Sequence, residues 1–379
     1  MKKICFIVAI PGTAQSFLYS HMTNLCEFYD VHLIAKFSSD EEKIVFENIG
    51  VVCHSAPIER RIRLMADLKA LCAISKIFKS EKFTAVHSVT PKAGLLTSIA
   101  GWLAKVPYRI HTYTGQVWAT KAGYIRILLK TMDKVIAGLN TNLLVDGDGQ
   151  RNFLIGQKVI HKHNSCVLAN GSITGVELDK FVISKAIRDR ERSKFKFKEH
   201  DVVFIFLGRL NHDKGIGELY AAFNQLVLKC KNAKLVLYGT DEEGYDSRIN
   251  KFPNIKRSIN YFYPGHTSQP YESLQVGDVF VIPTWREGFG MSVIEAQALG
   301  LPVITSDAYG VVDASVEGVT GLRCRVGDFA SLFEAMQMYY NNPNLRNQHG
   351  LAGRKRVQEL FDNRVVSQAW VDFYRNLTI

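Results

Sequence analysis

Short apolar runs alternate with longer segments of helical periodicity along the whole chain. In the first half, strands are predicted at residues 3–10, 31–35, 51–53, 85–89, 108–112, 143–145 and 166–169. In the second half, strands are predicted at residues 202–208, 234–239, 278–284 and 302–306. Apolar strands separated by helices are typical of parallel sheets that carry helices on both faces. The alternation therefore predicts an α/β fold.

A stretch rich in turn residues at 170–181 interrupts this alternation, which restarts after a charged helical segment. The length of 379 residues also exceeds what one ordinary hydrophobic core accommodates. We therefore predict two Rossmann-like domains with doubly wound parallel sheets, at residues 1–175 and 176–361, which face each other across a cleft. Residues 362–379 form a separate final segment.

The composition excludes several classes of protein. A chain that is 47% hydrophobic and 22% charged is typical of globular proteins. The seven cysteines are odd in number and form no CxxC pair, which favours reduced thiols in a cytoplasm. The first apolar run ends at Pro11, too early for a signal peptide, and no apolar stretch approaches the ~18 residues that span a bilayer. We expect a cytoplasmic chain that is soluble or peripheral to a membrane.

Most of the positive charge lies in the first half of the chain. Residues 1–180 contain 22 Lys and Arg against 14 Asp and Glu, a net charge of +8. Two helical stretches, 58–82 and 121–139, contain much of this excess. Such basic amphipathic helices are typical of membrane-surface or anion-binding elements, but also of solvated helices between parallel strands. Binding to nucleic acid is less favoured, because no recognised motif accompanies the charge.

The two stretches share one pattern, in which basic residues surround an apolar stripe. In the first, the predicted stripe is Ile58, Ile62, Met65, Leu68 and Cys72. The basic residues are Arg60, Arg61, Arg63, Lys69, Lys76 and Lys79 in the first stretch, and Lys121, Arg126, Lys130 and Lys134 in the second.

Ligands of open α/β sheets bind beyond the carboxyl ends of the strands. The strand predicted at 202–208 ends at Gly208 and is followed by Arg209 and Lys214, whose charges suit a diphosphate. The strand predicted at 278–284 is followed by a glycine-rich turn, 287–290, and a helix, whose N-terminal N–H groups favour a phosphate.

One carboxylate in this helix is unexpected. Glu295 lies four residues after Met291 and four before Leu299, so all three share an apolar face. A carboxylate on such a face is costly unless it is hydrogen-bonded. The sequence therefore predicts a hydrogen-bond partner for Glu295, either a ligand or a neighbouring side chain.

A dinucleotide-binding enzyme is the first alternative. Gly288, Gly290 and a later acid, Asp307, imitate the dinucleotide fingerprint, but Val293 occupies the place of its third glycine. The Walker A pattern is absent from the sequence. These differences disfavour a nicotinamide or P-loop enzyme.

The segment EGFGMSVIE, at 287–295, resembles the E-x7-E motif of retaining glycosyltransferases. With GRLNHDKG and GLPVITS, it resembles glycosyltransferase family four, which has the GT-B fold. The segments SVTPKAGLLTSIAG, HTYTGQVWA and LANGSITGVELDKF are similar to the branch that builds bacterial capsule, O-antigen and other lipid-linked glycans. This resemblance extends over nearly the whole chain.

The resemblance implies roles in the second domain, which would bind a nucleotide sugar. Glu295 would accept hydrogen bonds from ribose hydroxyls, and Glu287 from a hydroxyl of the donor sugar. Arg209 and Lys214 would neutralise the phosphates. The residues implied around the diphosphate and sugar are Gly208, Gly288, Phe289, Gly290 and Met291.

The resemblance also implies roles in the first domain, which would bind the acceptor. His111 is predicted to end its strand and to lie beside the reacting sugar. Gly12 and Ser16, in the predicted loop after the first strand, would face the donor, although Pro11 replaces the first glycine of the usual pair. The final segment resembles a helix that crosses back to the first domain, anchored by Trp370, Phe373 and Tyr374.

We expect no catalytic metal. Asp146 and Asp148 imitate the DxD motif of metal-dependent GT-A enzymes, but turn or N-cap positions suit them better. No carboxylate of the first domain stands out as a nucleophile, so retention is expected to proceed by front-face substitution.

The expected substrates are a UDP-sugar, with an N-acetylated hexosamine or 6-deoxy-hexosamine, and a saccharide on a polyprenyl diphosphate. The acceptor would bring the chain to the inner face of an anionic membrane. A GT-B-fold epimerase or hydrolase of nucleotide sugars is the alternative enzyme. A non-enzymatic lipid- or nucleic-acid-binding protein would leave Glu287 and Glu295 without a role.

Overall fold

The computed structural model describes residues 1–59 and 63–377. Three residues of the first predicted basic helix, Arg60, Arg61 and Ile62, lie outside the described residues. The chain divides into two compact units. Unit 1 consists of residues 1–174 with the segment from 363 onward, and unit 2 of residues 175–362.

Unit 1 contains a parallel sheet, described here with seven strands in the order β3-β2-β1-β4-β5-β6-β7. Its strands are β1 (Lys3–Ile7), β2 (Asp30–Ala35), β3 (Val52–Ser55), β4 (Ala85–Val89), β5 (Tyr108–Tyr113), β6 (Asn142–Val145) and β7 (Ser165–Cys166). Its helices are α1 (Pro11–Phe17), α2 (Tyr19–Leu25), α3 (Asp40–Glu47), α4 (Leu64–Glu81), α5 (Pro91–Leu103), α6 (Gly123–Leu139), α7 (Asp148–Gly156) and, at the end of the chain, α15 (Asn363–Asn376).

Unit 2 contains a second parallel sheet, with six described strands in the order β10-β9-β8-β11-β12-β13. Its strands are β8 (Val202–Leu207), β9 (Ala233–Tyr238), β10 (Tyr261–Gly265), β11 (Val279–Ile282), β12 (Val303–Ser306) and β13 (Gly321–Cys324). Its helices are α8 (Lys185–Lys194), α9 (Ile216–Lys229), α10 (Tyr245–Arg248), α11 (Pro270–Ser273), α12 (Met291–Ala298), α13 (Phe329–Asn341) and α14 (Pro343–Leu360). Both units have the predicted α/β class.

The two edge strands of unit 2, β10 and β13, were not predicted. An edge strand has one neighbour and stays partly exposed, so it does not need a continuous apolar sequence. The strand β10 accordingly contains Pro264, and β13 contains Arg323. The central strand β11, by contrast, is buried at every position.

The part of the predicted apolar stripe that lies on α4 faces away from the core of unit 1. Met65, Leu68 and Cys72 are exposed, whereas the buried side chains are Ala70, Ile74 and Phe78. The helix carries apolar residues on two sides, and packing in unit 1 decides which side is buried. Its start at Leu64 also lies later than the predicted stretch at 58–82.

The last helix, α15, packs into unit 1 through Trp370 and Tyr374, both buried, while Phe373 is partly buried. The Trp370 indole stacks between the rings of His21 and His87, with centroid distances of 4.5 and 4.9 Å. His87 Nδ1 also lies 2.8 Å from the Tyr374 hydroxyl. These contacts fix α15 on the first sheet.

Candidate donor site and its family

The turn between β11 and α12 is pinned by one aspartate from the loop after β8. The Trp285 N–H and the Thr284 hydroxyl both donate to the Asp213 carbonyl, each at 2.8 Å. Arg286 Nε donates to Asp213 Oδ2 at 2.8 Å. Two strand ends that are separated in sequence are thereby joined at the carboxyl edge of the second sheet.

Two glycines allow the backbone to take this path. Gly290, at the N-cap of α12, has a φ of +99°, which L side chains rarely adopt. Gly310 approaches the turn so closely that a Cβ would lie 2.0 Å from the Glu287 carbonyl oxygen. Phe289 is buried and contacts Phe361 at 5.3 Å between centroids, so the turn is anchored from its inner side.

The structure brings Lys214 and Glu287 together. The Lys214 ammonium forms an ion pair with the Glu287 carboxylate, and each side chain is 15% exposed. Both residues were predicted to bind the donor. Their ion pair places them on one small area of the surface of unit 2.

Arg209 also lies at this edge, directly after Gly208, but it contacts a different acid. Its guanidinium is 3.2 Å from the Glu242 carboxylate, to which Asn211 Nδ2 also donates at 2.8 Å. Glu242 follows β9 and was not singled out in the sequence, because a single acid in a polar loop carries no distinctive signal. The guanidinium stays half exposed and available to a ligand.

Glu295 forms no hydrogen bond or ion pair with any described residue. It is partly buried in the middle of α12, and burial raises the pKa of its carboxyl to about 7. Leu299 is buried and Met291 partly buried, as expected for the apolar face that they share with it. Glu295 is therefore a desolvated carboxyl that lacks hydrogen-bond donors.

The prediction that His111 ends its strand is wrong, because β5 continues to Tyr113 and the ring lies in the core of unit 1. Its Nδ1 is 2.9 Å from the Ser88 hydroxyl, and Gly94 of α5 packs directly against the ring. Burial lowers the pKa of His111 to about 3, so the imidazole is neutral. Its catalytic role stays a prediction.

Gly12 and Ser16 lie in the helix α1 and not in a loop as predicted, because Pro11 begins the helix. Both residues are exposed. Apart from its chain neighbours and the backbone of α1, no described atom lies within 4 Å of a Cβ placed on Gly12, so the fold itself does not require glycine there. Their contact with a donor stays a prediction.

Two pairs of buried polar side chains come after β5 in the chain. No sequence motif indicated them. Trp118 Nε1 donates to Asp133 Oδ2 at 2.7 Å, and burial raises the pKa of Asp133 to about 6. Gln150 Nε2 lies 3.3 Å from Gln116 Oε1. Asp133 was overlooked because it lies in a helical stretch without any motif.

Asp146 and Asp148 were predicted at turn or N-cap positions; Asp146 lies in the bend after β6, and the N-cap alternative is wrong for both. The cap position of α7 is Gly147, Asp148 is the first residue of the helix, and Asp146 is buried directly after β6. Across residues 1–59 and 63–377, no three His, Cys, Asp or Glu side chains are grouped so as to hold a metal ion. Within the same ranges, no helix has the length and apolar character to cross a membrane.

Two models of known protein families match the chain, one after the other along the sequence. "Glycosyl transferase 4-like" matches residues 3–138, within unit 1, and "Glycosyl transferases group 1" matches residues 187–356, within unit 2. The first description covers β1 to β5 of the first sheet, and the second covers all six described strands of the second sheet.

The capsular polysaccharide biosynthesis glycosyltransferase CapM of Staphylococcus aureus is 32% identical over 345 residues, 91% of this chain and 89% of the relative. The Escherichia coli UDP-Gal:alpha-D-GlcNAc-diphosphoundecaprenol alpha-1,3-galactosyltransferase is 27% identical over 75% of this chain and 73% of the relative. Among solved structures, Anabaena HepE in complex with UDP and glucose has a TM-score of 0.80 at 16% identity, covering 99% of this chain and 100% of that one.

The two parallel sheets and these likenesses define a glycosyltransferase with the GT-B fold. The chain belongs to glycosyltransferase family four, together with relatives from bacterial capsule and lipid-linked glycan synthesis. The family and the fold predicted from the sequence are both confirmed.

Proposed function

We propose that this enzyme transfers a sugar, with retention of configuration, from a UDP-sugar to a lipid-linked saccharide in bacterial surface polysaccharide synthesis. The donor sugar is proposed to be an N-acetylated hexosamine or a 6-deoxy-hexosamine. Unit 2 would bind the donor, and unit 1 the acceptor. The observation that carries the proposal is the Glu295 carboxyl, which has no hydrogen-bond partner among the described residues and lies next to the glycine-rich turn.

Ribose hydroxyls are suitable partners for Glu295. Two vicinal hydroxyls present two O–H donors, and a carboxylate offers two acceptor oxygens. A nucleotide would therefore supply the hydrogen bonds that the protein does not. The UDP complex of the structural neighbour HepE supports uridine diphosphate as the nucleotide class.

The diphosphate and sugar would bind beside this ribose position. Lys214 and Arg209 would neutralise the phosphates, and N–H groups of residues 288–291 would donate to them at the N-terminus of α12. Glu287 would accept a hydrogen bond from a hydroxyl of the sugar. Positive charge at these positions stabilises the leaving diphosphate as the glycosidic bond breaks, and no divalent metal is proposed.

For the acceptor step, we propose front-face substitution. The departing phosphate takes the proton of the acceptor hydroxyl while that oxygen bonds to the anomeric carbon on the same face. No covalent enzyme intermediate is then required. His111 would contribute from unit 1 by shaping the sugar position as a neutral imidazole. A product of inverted anomeric configuration by NMR would contradict this mechanism.

The names of two relatives support the proposed class of acceptor. The names of the Escherichia coli and Campylobacter jejuni relatives both specify an undecaprenol diphosphate acceptor. A comparable acceptor here would bring the enzyme to the inner face of the cytoplasmic membrane as a peripheral protein.

An epimerase or hydrolase is less favoured. Such an enzyme needs a carboxylate that activates water in unit 1. The buried acid with a raised pKa there, Asp133, contacts the Trp118 indole and is 5% exposed. It is therefore poorly placed to contact a substrate water.

Calorimetric titration with UDP, GDP, ADP and a panel of UDP-sugars tests the donor site. Wild type is expected to bind UDP and one UDP-sugar most tightly, with EDTA present. Glu295→Gln, which keeps the shape but removes the anionic acceptor, is expected to weaken UDP binding about tenfold, the effect of one charged hydrogen bond. Equal UDP affinity in both proteins would overturn the assignment of Glu295.

A further inference from the structure

Two buried polar side chains meet across β4 and β5 of unit 1. Ser88 and His111 are register partners on these neighbouring parallel strands, and Ser88 Oγ lies 2.9 Å from His111 Nδ1. We propose that Ser88 positions His111 in the neutral tautomer that carries its proton on Nδ1, so that Nε2 accepts a hydrogen bond from the transferred sugar. Ser88 is then a positioning residue, which acts on the sugar through His111.

The contacts of the Ser88 hydroxyl favour this tautomer. A hydroxyl has one proton, and the Ser88 hydroxyl lies 3.4 Å from the Ile110 carbonyl oxygen, which can only accept a hydrogen bond. When the hydroxyl donates to Ile110, its oxygen can accept from a protonated Nδ1, and both contacts are satisfied. When it donates to Nδ1 instead, no proton lies between the hydroxyl and the Ile110 carbonyl.

The backbone of Ser88 favours the same tautomer. Burial lowers the pKa of His111 to about 3, and a hydrogen bond with the Ser88 backbone only partly opposes this effect. The ring is therefore neutral and carries one proton. A hydrogen bond that raises the pKa of an imidazole is one that the ring donates. The ring proton therefore belongs on the side that faces Ser88.

Packing fixes the orientation of the ring. A Cβ on Gly94, near the start of α5, would lie 2.4 Å from His111 Cε1 and 2.8 Å from Nδ1, so the helix packs directly against this edge of the imidazole. The Tyr113 ring lies perpendicular to the imidazole, at 4.6 Å between centroids. Turning the imidazole over would take Nδ1 away from Ser88 Oγ. The enclosed ring nitrogen is therefore Nδ1.

The other ring nitrogen, Nε2, is available to a ligand. It forms no hydrogen bond with any described residue. It is also not one of the buried, unpartnered side-chain nitrogens and oxygens of the described chain, so the small exposed area of His111 includes this atom. An unprotonated Nε2 would accept a hydrogen bond from a hydroxyl or an N-acetyl N–H of a sugar. This step rests on the proposed function, which places His111 beside the transferred sugar.

The opposite tautomer would recognise different chemistry. With its proton on Nε2, the His111 ring would donate a hydrogen bond and would suit a phosphate oxygen. The position of one proton therefore distinguishes a contact with a sugar hydroxyl from a contact with the diphosphate.

Nitrogen NMR of the full chain, labelled with 15N-histidine, tests the tautomer without any ligand. Long-range correlations between ring protons and nitrogens separate protonated from unprotonated nitrogens, and the spectrum of His111→Gln assigns the His111 signals. Near neutral pH, Nδ1 is expected to be protonated and Nε2 unprotonated. A protonated Nε2 would overturn the proposal.

Calorimetry tests the contact with the sugar. UDP is compared with UDP-N-acetylglucosamine, UDP-N-acetylgalactosamine and UDP-galactose, and the UDP-sugar that binds wild type most tightly is the probe. Ser88→Ala is expected to weaken binding of this UDP-sugar about tenfold, the effect of one hydrogen bond. UDP affinity is expected to stay unchanged, because UDP has no sugar for His111 to contact. Ser88→Cys, which keeps the volume but forms weak hydrogen bonds, is expected to behave like Ser88→Ala.

The matched control is Ser165→Ala, in β7. It removes another buried serine hydroxyl of unit 1, which donates to the His161 carbonyl at 2.6 Å. It is expected to bind UDP and the UDP-sugar like wild type. A double-mutant cycle tests whether Ser88 acts through the ring. In a His111→Ala background, adding Ser88→Ala is expected to change UDP-sugar affinity less than about twofold.

Three binding results would also overturn the proposal. They are wild-type affinity for the UDP-sugar in folded Ser88→Ala or Ser88→Cys, equal weakening of UDP and UDP-sugar, or a tenfold effect of Ser88→Ala that persists without His111. If wild type bound none of the UDP-sugars, the contact of His111 with the sugar would be refuted. UDP binding by wild type tests the donor-site assignment separately, and the NMR spectrum decides the tautomer in either case.

Discussion

Lys214 and Glu287 form an ion pair, with both side chains largely removed from solvent. The proposed donor site assigns the ammonium to a phosphate and the carboxylate to a sugar hydroxyl. Donor binding must then replace at least part of this pair. If the proposed donor site is correct, the ion pair would compete with the diphosphate for Lys214.

This competition predicts opposite effects of Glu287→Gln on two measurements. UDP affinity should rise about threefold to fivefold, because the ammonium no longer has an anionic partner in the protein, a gain of about 1 kcal/mol. Sugar transfer should fall at least about a hundredfold, because the charged acceptor for the sugar hydroxyl is lost. Calorimetry measures the UDP affinity, and a transfer assay measures the rate of sugar transfer. The control Lys214→Met should weaken UDP binding; weaker UDP binding by Glu287→Gln would contradict the competition.

Glu295 predicts a fall in stability with rising pH. Its pKa rises from the ordinary 4.5 to about 7 on folding, so the folded chain binds more protons than the unfolded chain between these values. The free energy of unfolding should therefore fall by up to about 3 kcal/mol as pH rises from 4.5 to above 7. Denaturant unfolding of wild type and Glu295→Gln at several pH values measures this contribution. If the free energy of unfolding depended on pH equally in wild type and Glu295→Gln, titration of Glu295 would not be the source of the dependence.

His21 is expected to have the opposite effect, so that the free energy of unfolding falls as the pH is lowered. Its Nε2 donates to the Ile173 carbonyl at 2.7 Å, and burial lowers the pKa of the ring to about 4 from 6.5. The unfolded chain binds more protons between these values, so stability is complete above pH 6.5 and falls by up to about 3 kcal/mol towards pH 4. Thermal unfolding of His21→Gln should show a flatter acid slope than wild type. An unchanged slope would exclude His21 as its source.

Gly310→Ala is expected to impair the donor site through the backbone. The new Cβ would meet the Glu287 carbonyl, so the turn that carries Glu287 and Gly288 must move, at a cost of about 1–3 kcal/mol. UDP binding should weaken at least tenfold. The control Gly217→Ala lies in α9, where a Cβ meets only Tyr245 at 4.0 Å, and it should not destabilise. Normal UDP binding by a folded Gly310→Ala protein would show that the turn tolerates the shift.

Gly12→Ala separates a structural role from contact with the donor. Because no described atom beyond the chain neighbours and the backbone of α1 lies within 4 Å of the new Cβ, the midpoint of thermal unfolding should not fall. If the donor approaches α1, the KM for the nucleotide sugar should rise about tenfold, since the methyl group would displace it. An unchanged KM would remove Gly12 from the donor site. Ser16→Ala serves as the comparison on the same helix.

Much of this architecture was predictable because central parallel strands require continuous apolar sequence. The strands from β8 to β12 that lie inside the second sheet were predicted within a few residues. The edge strands β10 and β13 were not, since one unpaired side permits residues such as Pro264 and Arg323. The apolar stripe of α4 was visible in the sequence, but which apolar side of the helix is buried depends on packing: Met65 and Leu68 are exposed, and Ile74 is buried.

The sequence by itself determined the α/β class, the family and the motif that contains Glu287 and Glu295, because periodicity and residue spacing are local properties of the chain. Tertiary structure decided which groups meet: Lys214 with Glu287, Asp213 with the turn before α12, and His111 with Ser88 inside a core. Tertiary structure also decided that Glu295 has no hydrogen-bond partner in the described part of the chain and that Tyr124, Ile127 and Leu128 of α6 are exposed. Pairing and burial depend on residues far apart in the chain, and only the packed fold brings those residues within contact distance.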